Sequence, residues 1–305
     1  MLIYAAVCPH PPLLVPELAG DAAKELDALR AACGTAVRGL EEAVRAAGGD
    51  AAIVVVGGGA GTRAYGPDAV ATLGPYGLVP TASYRPSENG VSGTVGGADS
   101  VFGEPVKPAE LLPLSLTIGR WLLRDLPPGV PVRFQSVAYD AAPRECLALG
   151  RKLAGQADER VALLVMGDGS ACLSAKAPGY LDPRAEPYDA GVAEALRLAD
   201  TGTLADLDPG ISREVQAAGR AAWQVLAGAA EAPRTPHEGA PHEGTPHGRV
   251  SDGRASGERA CADAAGTVRE RSGRSQPSYD AELLAYEAPY GVGYFVATWN
   301  GLTTP

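Results

Sequence analysis

The amino-acid sequence predicts an α/β domain with three layers, in which a central, mostly parallel sheet is flanked by helices. Three short apolar runs, LIYAAVC (2–8), AAIVVVGGG (51–59) and RVALLVMGDGS (160–170), have the length and composition of buried strands. Segments with helical periodicity separate these runs along the chain, which is the alternation typical of parallel sheets. The chain has 305 residues, of which 46% are apolar, so it is long enough to bury a large core.

The first two runs and the segment between them predict a strand–helix–strand unit. Residues 20–47 carry apolar side chains at helical spacing, and Gly48-Gly49 ends the helix. We therefore expect the two strands to form a parallel pair joined by a right-handed crossover. Residues 57–108 are rich in Gly, Pro, Ser and Thr, which predicts long loops with short strands, of the kind that cover binding sites.

The remaining elements continue the alternation. Periodicity and composition predict helices over 109–126 and 143–156, a strand over 130–139, helices over much of 187–201 and 211–228, a helix over 279–288 (YDAELLAYEA) and a last strand over 290–299.

Residues 229–278 break this pattern. They contain the near-copies PHEGA, PHEGT and PHGR, followed by Gly, Ser, Arg and Asp with almost no large apolar residue. Such a composition predicts a disordered low-complexity insertion, because it cannot bury enough surface to order itself. The predicted α/β domain therefore comprises residues 1–228 and 279–305.

Charge and cysteine content exclude several classes of function. A formal net charge of −10 argues against binding to nucleic acid and to anionic membranes. No apolar run approaches the about 18 residues of a membrane span, and the start lacks the features of a signal peptide. The five cysteines form no C-x-x-C pair, which is typical of reduced thiols in a cytoplasmic protein. No oligomeric state is predicted.

His10 is the most informative single residue. It follows the first predicted strand in CPHPP, whereas the other histidines, His237, His242 and His247, all lie in the low-complexity segment. Ligands bind at the carboxyl ends of strands in open α/β sheets. A neutral imidazole there is suited to holding iron or zinc, or to acid–base catalysis. The alternative is a histidine that bonds nearby backbone to complete a turn.

Two further strand ends carry candidate groups. In MGDGSACLS, Asp168 can serve a ligand or backbone amides, and Ser170 resembles a nucleophile elbow that lacks the second glycine. Residues 59–64 fit the G-x-G-x-x-A dinucleotide pattern, but no helix is predicted to begin there and no acidic residue follows a second strand, so we expect no nucleotide cofactor. A third candidate, Glu287, lies in AYEAPYG, at the end of the helix predicted over 279–288 and just before the last predicted strand.

Taken together, these pieces resemble a known family. CPHPP, IVVVGGG, PAELLPLSL, VMGDGSACLSAKAPGYLDPRAEPYDAGVAEAL and AYEAPYGVGYF, in this order, are similar to the catalytic subunits of the class III extradiol ring-cleavage dioxygenases. That superfamily also contains the Memo proteins. The resemblance spans nearly the whole chain except residues 229–278, and it implies an α/β fold with a mostly parallel sheet.

The resemblance also implies a site in which two histidines and a glutamate hold Fe²⁺ for a catechol and dioxygen. His10 matches the first metal histidine, and Glu287 matches the carboxylate ligand. The second metal histidine falls on Gly58 or Gly59, and the acid–base histidine falls on Ala171. By this match the chain is a divergent member in which two of the family's imidazoles are replaced.

Three hypotheses follow. The first is a dioxygenase-like protein that binds Fe²⁺ through His10 and Glu287, with Asp168 or Cys8 as further ligands, and a small aromatic substrate. The second is a non-catalytic module that binds a small molecule or a peptide on the same fold. The third is a metal-free reaction in which His10 acts as a base near Ser170 or Tyr286, with Asp168 as a further catalytic group.

Overall fold

A computed structural model describes residues 1–48, 51–78, 110–155, 159–231 and 279–301 of the chain. The strands are β1 (Leu2–Cys8), β2 (Ala51–Gly59), β3 (Arg63–Tyr65), β4 (Val132–Ala138), β5 (Arg160–Met166), β6 (Tyr279–Glu287) and β7 (Tyr294–Gly301). The helices are α1 (Pro16–Ala19), α2 (Asp27–Ala47), α3 (Leu114–Leu122), α4 (Pro143–Ala154), α5 (Ala185–Leu198), α6 (Thr201–Ala205), α7 (Pro209–Glu214) and α8 (Arg220–Ala230).

The seven strands form one sheet in the order β3-β4-β2-β5-β1-β7-β6. The four central strands β4, β2, β5 and β1 run parallel, whereas β3, at one edge, and β7 are antiparallel to their neighbours β4 and β1. The structure therefore confirms the predicted α/β class with a mostly parallel sheet. The predicted pairing of the first two strands is wrong, because β5 is inserted between β1 and β2 and pairs with both.

The prediction of a helix over residues 279–288 is wrong. They form the edge strand β6, which pairs antiparallel with β7 from Tyr279↔Gly301 to Glu287↔Tyr294. The Ala, Leu and Glu residues of this segment favour a helix locally, but pairing with a neighbouring strand overrides such a weak preference. Glu287 therefore lies at the end of a strand rather than at the end of a helix.

The other predicted elements are present with shifted bounds. The helix predicted over 211–228 is two helices, because Gln216 adopts a left-handed conformation (φ 54°) between α7 and α8. The strand predicted over 160–170 ends at Met166, and α2 begins at Asp27 after a 3₁₀ segment. After β2 the chain forms β3 and no helix. Apart from 229–231, the predicted insertion lies outside the described residues, as do most of the short strands expected within 57–108.

Side chains on the two faces of the sheet form two hydrophobic cores. Val54 and Val56 on β2 and Leu163 on β5 pack with helices α4, α5 and α8 in one core, which we call the α8 face. Ile53 and Val55 belong to the opposite core with helices α2 and α3, which we call the α2 face. Alternation along the strands produces this division. Among the described residues, no helix is long and apolar enough to cross a membrane.

Candidate functional site

His10 and Asp168 meet at the carboxyl ends of adjacent parallel strands. His10 stands two residues after β1, and Asp168 stands two residues after β5. The backbone N–H of His10 donates a hydrogen bond to Asp168 Oδ1 over 2.7 Å. The imidazole is buried, with 4% of the residue exposed. The parallel pairing of β1 with β5 thus brings together two groups that are 158 residues apart in the sequence.

The imidazole of His10 faces the same carboxylate. Its Nδ1 lies 3.5 Å from Asp168 Oδ1, but this nitrogen is buried without a hydrogen bond among the described residues. A buried polar nitrogen without a partner is costly, and such groups are rare in folded proteins. Because Nδ1 faces the carboxylate, Nε2 is the nitrogen that a bound molecule can meet.

Burial sets the electrostatics of this pair. Burial raises the pKa of the Asp168 carboxyl, and the nearby imidazole and N–H of His10 offset part of that rise. Tyr294, the first residue of β7, is also buried, and both its burial and the charge of Asp168 raise its pKa. A carboxyl with a raised pKa holds a proton more readily than an exposed one.

The end of β2 lies on the other side of β5 from His10. Gly57 pairs with Met166, and Met166 pairs with Cys8, so these three positions share the α2 face. By alternation, Gly59 lies on that face too. A Cβ atom on Gly59 would lie 3.0 Å from Ser136 Cβ and 3.6 Å from Pro113 Cγ.

Gly58 lies on the opposite, α8 face. A Cβ atom there would meet the ring of Tyr139, with Cδ1 at 2.7 Å. The resemblance leaves Gly58 and Gly59 open as the position of the second metal histidine. The alternation of β2 favours Gly59, because that position shares a face with Cys8, two residues before His10.

The Ser170 hydroxyl is committed to the backbone around it. Ser170 is fully buried, its Oγ donates to the carbonyl of Val215 over 2.7 Å, and it accepts from the N–H of Cys172 over 3.0 Å. Ala171 N–H donates to the same carbonyl of Val215. These bonds give Ser170 a structural part in the turn after β5, and its catalytic role stays a prediction.

Glu287 lies at the same end of the strands as His10, but the two residues are not on neighbouring strands. It pairs with Tyr294 on β7, and β7 separates β6 from β1. Neighbouring strands are about 4.8 Å apart, so the backbone of Glu287 is displaced from that of β1 by about 10 Å and from that of β2 by about 19 Å.

The positions that the resemblance assigns to the iron site lie on strands that are spread across the sheet. The described residues contain no group of three or more His, Cys, Asp or Glu side chains placed to hold a metal ion. The about 19 Å between the ends of β2 and β6 also exceeds the combined reach of a histidine and a glutamate toward one ion. Fe²⁺ binding through His10 and Glu287 stays a prediction, and we derive no chemical step from it.

Tyr286 and Cys8 are the other two candidates that the sequence offers. Tyr286 stacks on Phe295 with ring centroids 4.8 Å apart, and Phe295 belongs to the core of the α8 face. Burial and the charge of Asp189 raise the pKa of Tyr286 to about 12. Cys8 is fully buried on β1, and a hydrogen bond to Cys33 together with burial raises the pKa of its thiol. Both groups therefore remain protonated near neutral pH.

Asp189 on α5 is a buried acid that the sequence analysis missed. It is fully buried, its Oδ1 accepts from the N–H of Ser170 over 2.8 Å, and its Oδ2 has no partner among the described residues. Burial raises its pKa to about 7. A signal was present, because Asp189 occupies the apolar stripe of α5 with Val192, Ala193 and Leu196.

No family model matches this chain, and no curated protein matches it. A crystal structure of an uncharacterized protein, JW3007, from Escherichia coli K12 is similar over 98% of this chain and 100% of that one, with a TM-score of 0.42 and 13% sequence identity. A likeness at this level indicates neither a family nor a function.

Proposed function

We propose that this chain is an extradiol-dioxygenase-like protein that binds a small aromatic molecule beside His10 and exchanges a proton with it. The observation that carries this proposal is the buried imidazole of His10, whose Nδ1 has no hydrogen bond among the described residues and faces the carboxylate of Asp168 at 3.5 Å. The resemblance supplies the class of the protein and the small aromatic ligand, and the pair of side chains supplies the chemistry.

The two side chains have different roles. Asp168 orients the imidazole and favours a proton on Nδ1, as carboxylates do for catalytic and metal-binding histidines. Nε2 then accepts a proton from an acidic hydroxyl of the bound molecule. The distance of 3.5 Å between Nδ1 and Oδ1 is long, but such contacts often tighten only when a ligand binds.

The proposal is tested with 4-nitrocatechol, whose visible absorbance reports the ionisation of its hydroxyl group. We expect the parent protein to bind it and to increase its ionised fraction. His10→Ala removes the proton acceptor, so we expect at least tenfold weaker binding and no ionised band. Glu287→Gln is the matched control, because it changes a carboxylate that lies one strand beyond β7, and we expect it to behave like the parent.

Other outcomes would replace the proposal. Binding without any increase in ionisation would make the chain a non-catalytic binding module on the same fold. Oxygen uptake with Fe²⁺ and a catechol that both His10→Ala and Glu287→Gln abolish would restore the iron-dependent ring-cleaving enzyme that the resemblance implies.

We place this activity in the cytoplasm. The described cysteines, Cys8, Cys33, Cys146 and Cys172, are free and buried, which is consistent with a reducing compartment. The net charge of −10 supports a small-molecule ligand over nucleic acid or an anionic membrane.

A further inference from the structure

A cavity of about 230 Å³ lies between the residues that follow β4 and the start of α8. We call it the α7–α8 pocket. Its walls come from the residues after β4, from α7 and from the segment leading into α8. The residues that matter here are Tyr139, Asp140, Pro209, Arg213, Ala217 and Arg220.

Arg220 is a buried cation in the wall of this pocket. Only 3% of the residue is exposed. Its Nη1 donates to the carbonyl of Ala141 over 2.6 Å and to Gln224 Oε1 over 2.9 Å, and its Nη2 donates to the carbonyl of Tyr139 over 2.6 Å. These three acceptors are all neutral. A guanidinium has five N–H donors, so two remain for another partner.

No described carboxylate forms an ion pair with Arg220, although a buried charge without a counter-charge is costly. The acids of α7 are already engaged. Glu214 pairs with Arg184, and Asp208 accepts a hydrogen bond from the N–H of Ile211 over 2.8 Å. The positive charge of Arg220 therefore lacks a counter-ion within the part of the chain that the structure describes.

Arg213 adds a second guanidinium to the same pocket. It is exposed, and it makes no ion pair with any described residue. Asp140 is the acid among the lining residues. Two guanidinium groups against one carboxylate give the pocket a net positive charge. The remaining walls, including Pro209, Ala217 and the Tyr139 ring, are largely apolar.

We propose that the α7–α8 pocket binds a small organic acid, with its carboxylate between Arg213 and Arg220 and a compact apolar body against Pro209 and Ala217. A carboxylate matches the planar fork of a guanidinium and can accept two parallel hydrogen bonds from it. The volume is below the about 300–1,000 Å³ of sites for drug-sized ligands, which suits a small acid. Neither His10 nor Asp168 lines this pocket, so the proposal does not rest on the function proposed for that pair.

Benzoate is the probe, and benzamide is its uncharged counterpart of the same shape. We expect calorimetry on the full chain to show benzoate binding at least tenfold more tightly than benzamide. Arg213→Glu should abolish the binding of benzoate, and the fold should be kept because this side chain is exposed. Arg45→Glu makes the same charge change on the last turn of α2, near the start of β2. It should leave benzoate affinity unchanged.

Asp140→Asn gives an independent test, because it should improve binding rather than destroy it. Removal of this negative charge should tighten benzoate binding about two- to fivefold, the range of a partly exposed charge interaction. The proposal is overturned if benzoate and benzamide bind alike, or if benzoate affinity in folded Arg213→Glu equals that of the parent. It is also overturned if Asp140→Asn weakens binding.

Discussion

Asp189→Asn should make the protein more stable than the parent at pH 8 by up to about 4 kcal/mol, and about as stable as the parent at pH 4. The cause is the burial of the carboxyl group, which raises its pKa from the usual 3.8 to about 7 in the folded protein. Asparagine has nearly the same shape and keeps the acceptor for the N–H of Ser170. It does not ionise, so it avoids the cost of a buried negative charge.

The direction of this effect follows from proton binding. Between pH 4 and pH 7 the folded parent keeps the proton of Asp189, whereas the unfolded chain has released it. Because the folded state then binds more protons, the free energy of unfolding falls as the pH rises through this window. The full stabilisation is present below pH 4 and is lost by about pH 7.

The measurement is urea unfolding of both proteins at several pH values, with Asp206→Asn as a control at an exposed position. The difference between Asp189→Asn and the parent should grow with pH, and the control should show no such trend. A difference that is constant from pH 4 to pH 8 would show that the Asp189 carboxyl is not protonated in the folded protein.

Gly59→His should raise the affinity for Fe²⁺ at least tenfold. The introduced imidazole would lie on the α2 face, with the carboxylate of Asp168 between it and His10. These three strand ends lie within two strand spacings, about 10 Å, so two imidazoles and one carboxylate can converge on one ion. The contact with Ser136 is tight, at 3.0 Å, and should cost about 1–3 kcal/mol of stability.

Gly58→His is the matched control, because it changes the neighbouring residue of the same strand. Its side chain would point to the α8 face and into the ring of Tyr139, so we expect lower stability and no gain in metal affinity. Anaerobic titration with Fe²⁺ and thermal unfolding are measured on both variants. Equal affinities for the two variants, with both folded, would contradict the assignment of the faces of β2.

The sequence predicts the buried parallel strands well. β1 and β2 have the expected bounds, because a strand buried on both faces appears as a continuous apolar run. The sequence wrongly predicts a helix at the edge strand β6. The Ala, Leu and Glu residues of this segment favour a helix locally, but pairing with β7 makes it a strand. The order of the strands cannot be predicted from local sequence patterns either. The position of β5 between β1 and β2 depends on contacts between residues that are distant in the sequence.

The candidate site could likewise be predicted only in part from the sequence. His10 and Asp168 can both be identified from the sequence, because each directly follows a strong strand signal and strand ends meet at one edge. Their mutual contact requires the pairing of β1 with β5. Ser170 and Glu287 also lie near strand ends, but the hydrogen bonds of Ser170 and the position of β6 depend on the folded turn and on sheet order. The hydrogen bonds of Ser170 and the position of β6 therefore cannot be predicted from the local sequence.

The most direct test of the His10–Asp168 pair is the ¹⁵N NMR spectrum of histidine-labelled protein, with His10 assigned by its loss in His10→Ala. We predict that neutral His10 carries its proton on Nδ1, facing Asp168, and leaves Nε2 unprotonated for the ligand. We also predict that Asp168→Ala weakens this preference. A neutral His10 with its proton on Nε2, unchanged by Asp168→Ala, would contradict the proposed acid–base pair.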